Sequence, residues 1–265
     1  MSAPPLAEFL APLFLSHGAP DLVAGEEPAR AFLEGLGAAL PRPRAVVVAS
    51  AHWTTHAVEV ETGAAPPTIH DFAGFPVALH RLRYPAGGAP ELAARIVSLL
   101  RGAGIAAEGR QRGLDHGAWV PLLLVYPDAG VPVLQVSVQP ARGTDHHLAV
   151  GRALAPLARE GVLVLGSGGA SHNLAELDPG GGAPPAWVRA FDAWLSAAVE
   201  AGDAQALLRY RAQAPHAARN HPSEEHYLPL LVAYGAAGQG AVGRVLHHSH
   251  TYGVLSMTAF AFTPK

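Results

Sequence analysis

Two short runs constrain this chain most: "AVVVAS" at 45–50 and "VLVLGS" at 162–167 are apolar at nearly every position. Successive side chains of a strand point to opposite faces, so a strand that is apolar throughout needs cover on both. Three further runs read as strands: "PLFLS" (12–16), "VPVLQVSV" (131–138) and "VLSMTAFAF" (254–262). Between them lie longer Ala- and Leu-rich stretches that read as helices, near 26–40, 90–103, 117–126, 145–159, 185–200, 203–214 and 223–236. The alternation predicts an α/β fold with a central, mostly parallel or mixed sheet between two helical layers. In open sheets of this kind the loops beyond the carboxyl ends of the strands converge, and ligand sites lie there.

Composition narrows the class. With 265 residues and 49% hydrophobic side chains the chain can bury a full core, and residues 1–265 are expected to form one domain. A net charge of -3 and scattered arginines offer no basic stripe for nucleic acid and no polybasic segment for a membrane surface. Cysteine is absent, which excludes disulfides and thiolate metal sites. The first apolar stretch, "LAEFLAPLFL", carries Glu8 and Pro12 and lacks a basic flank, so no secretory leader is expected. No run reaches the roughly 18 apolar residues of a membrane span, and a cytoplasmic location is the default expectation.

The 15 histidines carry the chemistry. "PLFLSHG" ends in His17, "VVVASAHW" in His52, and "LVLGSGGASHN" reaches His172. Three strands each deliver an imidazole to the same edge, after small residues that let the backbone approach a bound group. Histidine donors without cysteine suit iron, zinc, copper or nickel better than magnesium or calcium. Two histidines and one further ligand, with positions left open, fit non-haem Fe(II); the same set fits a zinc hydrolase with a metal-bound water.

His116, in "GLDHGAWVPLL", stands at a helix start with Asp115 as its expected cap, where it can also serve as acid, base or hydrogen-bond donor. "TIHDFAGFP" reads as a substrate loop offering His70, Asp71 and Phe72. Phe72, Phe75, Trp53, Trp119 and Tyr227 are candidates for an aromatic lining. His80, His146, His147 and His216 are expected at the surface. The tract "LHHSHTYG" (246–253) can turn only part of itself toward any one site, because alternate strand residues face opposite ways, and it is left out of the candidate set.

The stretches "LFLSHGAP", "VVVASAHW", "PPTIHDFAGFP", "YPAGGAPELA", "GLDHGAWVPLLLVYPDAGVPVLQVSV", "GSGGASHNL" and "HPSEEHYLPLL" occur in order from residue 13 to 231. Together they resemble the class III extradiol ring-cleaving dioxygenases of the DOPA 4,5-dioxygenase type. The resemblance implies a three-layer α/β/α fold, a mononuclear metal, Fe(II) for activity with Zn(II) as a possible bound metal, and insertion of both atoms of dioxygen into a catechol. It implies His17 and His52 as metal ligands. It implies His172 as the proton-handling residue that can also ligate, and His116 as a second acid/base or dioxygen-orienting group. Many members complete the site with a glutamate, whereas this branch looks as if it uses the histidine of "EHYLPLL", here His226.

Helix geometry bears on that choice. A helix beginning near Glu224, capped by Ser223, puts Tyr227, Leu230, Leu231 and Tyr234 on its apolar stripe and turns Glu225 away from it. Pro229 shifts the start of the regular helix toward 226–228. His226 is then the preferred ligand, Glu224 and Glu225 are lesser alternatives, and His221 is expected to be structural or at most to line the pocket rim.

Overall fold

The structure is a computed structural model that describes residues 10–265. The first four residues of the "LAEFLAPLFL" stretch, Glu8 among them, lie outside the described residues. Among the described residues there are ten strands. They are β1 (Leu13–Ser16), β2 (Ala45–Thr54), β3 (Val58–Glu61), β4 (Ala107–Arg110), β5 (Val133–Val138), β6 (Val162–Gly168), β7 (Val242–His247), β8 (His250–Thr251), β9 (Leu255–Ser256) and β10 (Ala259–Thr263). Eight form one sheet in the order β4-β3-β5-β2-β6-β1-β10-β7, and β8 pairs with β9 in a small hairpin.

The four inner strands β5, β2, β6 and β1 run parallel, so their carboxyl ends share one edge. Strands β10 and β7 extend the sheet antiparallel, which makes it mixed. The alternation of side chains in β2 and β6 assigns each face its cover. Val46, Val48, Leu163 and Leu165 meet Leu33 and Leu36 of α1 (Pro28–Ala39) and Trp119 and Val120 of the helix at His116–Val125. Val47, Ala49, Val162 and Val164 meet Ile96 and Leu100 of the helix at Pro90–Gly102, Leu154 of the one at Gly143–Leu154, and Val232 of the one at Leu228–Ala236. The result is the expected three layers. Among the described residues no helix is long and apolar enough to cross a membrane.

The differences from the sequence reading have physical causes. Strands β3, β4 and β7 went unread because "VEVE", "AEGR" and "VGRVLH" carry the charges that blunt strands at or near a sheet edge. The expected strand 254–262 is two strands, broken at Met257 and Thr258. The stretch 203–214 divides into Ala204–Leu208 and Tyr210–Gln213. The last expected helix begins at Leu228, with residues 222–227 in turns, because Pro229 has no N–H to give and fits only a first turn.

Candidate active site

The carboxyl edge of the parallel strands gathers the histidines. His17 follows β1 directly, and its amide donates to the Gly168 carbonyl at the end of β6 (3.0 Å). Gly18 then turns the chain at φ +64°, a backbone conformation that side chains with a Cβ resist. His52 lies inside β2, beyond Ala49, where the pairing with β5 becomes irregular. His226 precedes the last helix, which lies hard against β6: a Cβ on Gly168 would sit 2.1 Å from the His226 carbonyl oxygen. The small residues of "GSGG" therefore let His226 reach the edge.

Three imidazole nitrogens converge. His17 Nε2 lies 2.9 Å from His52 Nε2, which lies 3.3 Å from His226 Nε2. Their opposite nitrogens establish how they are protonated. The Ser167 hydroxyl donates to the Gly117 carbonyl, so its oxygen accepts from His17 Nδ1–H (2.9 Å). The Glu225 carboxylate accepts from His226 Nδ1–H (3.1 Å). His17 and His226 thus present bare Nε2 lone pairs to the same point. One proton on His52 Nε2 can serve only one of them at a time, while a divalent cation serves all three.

Nitrogens bound tetrahedrally at 2.0–2.1 Å stand about 3.3 Å apart, close to the observed separations. Burial, reinforced by His52, keeps the His17 imidazole well below its ordinary pKa, and burial with His172 does the same for His226. Burial and then His116 push His52 down to about 3, against the pull of Asp71. Neutral imidazole is the ligating form, so these donors fit a metal.

His116 and His172 flank the three. The His116 ring centroid is 3.8 Å from that of His52, and its amide donates to Asp71 Oδ1 (3.0 Å). Its Nδ1 also lies 3.0 Å from that oxygen, but out of line for a hydrogen bond. Burial alone would raise the Asp71 carboxyl, yet the His116 side chain and amide outweigh it and bring it to about 2. His172 stacks flat on His226, ring centroids 3.4 Å apart, and burial lowers it to about 4. It stands beside the three convergent nitrogens rather than among them.

The expected cap is a correction. Asp115 occupies the N-cap position, but its carboxylate caps nothing: it accepts from Ser50 Oγ (2.7 Å), Arg112 (2.8 Å) and Gln135 Nε2 (2.8 Å). Asp71 takes the first amide of the helix instead. Arg112 also donates to the His52 carbonyl (3.1 Å), so one part-buried ion pair ties the two histidine segments together.

The loop residues separate. Asp71 reaches both His116 and, at 3.8 Å, His52 Nδ1. Phe72 places its ring 5.8 Å from His116, with Phe75 and Trp119 behind it. His70 lies one layer back, with Nε2 3.0 Å from the Leu82 carbonyl. Trp53 and Tyr227 are core residues, the first under the Arg112 guanidinium and the second stacked on Tyr210.

In "HPSEEH", Glu224 points away to the Tyr210 hydroxyl and Arg211 (3.0 Å each). Glu225, expected to point away as part of a helix, instead holds His226, because the turn at 222–227 replaces that helix. His221 is fully buried, donates to the Ala170 carbonyl (3.0 Å) and is structural. His147 is a further correction to the surface reading: it is buried on the inner side of its helix, accepts from the Gln139 amide (3.0 Å) and donates to the Gly143 carbonyl (2.6 Å). Sequence reasoning missed Ser167 and Arg112 altogether, because nothing local marks a serine or arginine as the partner of a distant histidine. A groove of about 700 Å³ between Arg44, Arg95 and Glu160 opens at the opposite, amino-terminal end of β2 and contains no histidine.

A histidine centre at the carboxyl edge of the parallel inner strands of a mixed sheet defines an α/β protein with a candidate metal site. The chain belongs to the family of the catalytic LigB subunit of aromatic ring-opening dioxygenases, whose description matches residues 24–263. It is therefore an extradiol ring-opening oxidoreductase, and it acts on a small aromatic substrate and dioxygen. The chain is 42% identical to a 4,5-DOPA dioxygenase extradiol of Beta vulgaris, over 94% of this chain and 95% of that one. It is 39% identical to a 4,5-DOPA dioxygenase extradiol of Escherichia coli K12, over 84% of each. A crystal structure of an uncharacterised Escherichia coli K12 protein superposes with a TM-score of 0.79 at 32% identity, covering 95% of this chain and 99% of that one. Members of this family use a non-haem metal, and the histidine cluster here could hold one.

Proposed function

We propose that this enzyme opens a DOPA-like catechol with Fe(II) held by His17, His52 and His226, and with His172 and His116 as its proton-handling residues, all within one catalytic domain. The observation that carries the reading is the pair of bare Nε2 lone pairs, on His17 and His226, aimed at His52 Nε2. Iron suits three neutral nitrogens with positions left open, and when bound it would bring the catechol oxygens and dioxygen together. Zinc fits the same donors as a resting metal. The substrate is inferred from relatives named for DOPA.

A catechol gives up a proton as it binds, and His172, kept neutral by burial at the rim beside His226, is placed to accept it. His116, held by Asp71 across the His52 ring, is placed to donate a hydrogen bond where oxygen gains charge. Phe72 forms an apolar wall beside it, against which an aromatic ring can lie, and Asp71 orients His116 rather than the substrate. His70 supports that loop from behind.

The test is anaerobic reconstitution with Fe(II), then a catechol panel including DOPA followed by oxygen consumption and product mass. The expected product is a ring-opened acid carrying both atoms of one dioxygen. Failure of iron-loaded protein to turn over any catechol would sink the proposal, and turnover maintained without oxygen would favour a hydrolase.

A further inference from the structure

The tract "LHHSHTYG" and the buried residue it meets are used by nothing above. His250 Nε2 lies 2.6 Å from Asp192 Oδ2, and His248 Nε2 lies 3.5 Å from that same oxygen. The three groups come from different elements: Asp192 from the helix α6 (Ala186–Ala201; α2–α5 are Val77–Arg81 and the helices at 90–102, 116–125 and 143–154), His250 from β8, and His248 from the turn before it. One potential ligand atom from each lies within 4.8 Å of the others. His247 takes no part and stacks on Phe32, ring centroids 4.7 Å apart.

We propose that Asp192, His248 and His250 form a second metal site, separate from the catalytic centre, that takes a zinc-like divalent cation. Two imidazoles and one carboxylate select zinc, cobalt or nickel over calcium or magnesium. The His248 nitrogen already stands at the spacing expected between two ligands of one tetrahedral ion, and His250 needs to withdraw by only about 0.7 Å. Half-exposed His248 leaves the fourth position to water.

An independent observation points the same way. Asp192 is 3% exposed, and its Oδ1 is buried without a hydrogen-bond partner. An unpartnered carboxylate oxygen in the interior is costly, and a cation drawn to the carboxylate offsets that cost. The site would clip the β8–β9 hairpin onto α6. Ser256, in the second strand of that hairpin, bridges to Ser171, next to His172. The clip thus steadies the wall that carries a catalytic histidine.

The experiment counts zinc by mass spectrometry on full-length, metal-stripped protein dialysed against zinc with a weak competing chelator. The unaltered chain is expected to retain two ions and His248→Ala one. A chain lacking His17 and His52 is expected to retain one ion and to melt at higher temperature when zinc is added, a rise that His248→Ala removes. His248 is exposed enough to be cut without opening the core; His250→Ala then checks the second ligand. A His248→Ala protein that binds as many ions as its parent, or a chain lacking His17 and His52 that retains none, overturns the proposal. Because the count does not depend on turnover, its failure is distinct from failure of the dioxygenase reading.

Discussion

The two histidine clusters use one residue type in opposite ways. At the carboxyl edge of the sheet, His17, His52 and His226 face one another, and burial keeps them neutral. Beside α6, His248 and His250 instead face one carboxylate oxygen of Asp192, at 3.5 and 2.6 Å. The Asp192 carboxylate supplies charge within the second cluster. In the first, the Glu225 carboxylate accepts from His226 Nδ1–H and Asp71 lies 3.8 Å from His52 Nδ1, both on the side away from the convergent Nε2 atoms. The first cluster thus offers three neutral donors, whereas the second would set a charged ligand between its two imidazoles.

The largest effect expected is from His17→Ala or His52→Ala, which removes a convergent nitrogen. Metal retention and ring opening should both fall by at least ~100-fold, more than the loss of an outer hydrogen-bond partner causes. Metal analysis beside oxygen uptake checks it, and retained metal in either variant would dissolve the contrast. His116→Ala and His172→Ala should keep the metal and lose about 10²–10⁴ in turnover, the range for a lost general acid or base. Glu225→Gln leaves the His226 ring in place but weakens its hold, so metal affinity should fall by about 10–100-fold with the protein still folded. A competition titration against a chelator reads this directly.

His147 tests the rule away from both clusters. Burial lowers it from 6.5 to about 4, so its contribution to stability is full above pH 6.5 and is lost as pH falls toward 4, where the unfolded chain takes up a proton that the folded one refuses. The loss should reach up to about 3 kcal/mol by pH 4. Urea midpoints measured from pH 7 to 4.5 should flatten in His147→Gln; an equal slope would show that burial does not control it. The smallest effect belongs to Glu224→Gln. This carboxylate is two residues from His226 but faces Tyr210 and Arg211, so metal affinity and turnover should stay within about twofold and stability should fall by at most about 1 kcal/mol.

The central fold was legible because burial on both faces writes itself into consecutive apolar residues, and β2 and β6 needed nothing more. The edge strands β3, β4 and β7 were not, since half-exposed strands tolerate charge and lose the signal. Three of the histidines were legible for a related reason: each stands at or just beyond the end of such a strand, and parallel strands bring their ends together.

Local patterns of apolar and polar residues therefore dictate the central sheet, the edge where its loops converge and the residue types delivered there. The tertiary structure decided which nitrogen of each ring is bare, through Ser167 and Glu225, and which carboxylate caps the His116 helix, through Asp71. It also decided that Asp192 meets His248 and His250, more than fifty residues away. Periodicity reports the face a residue turns to its own element. A hydrogen-bond partner is chosen across space by distance and angle, and only the packed chain supplies those.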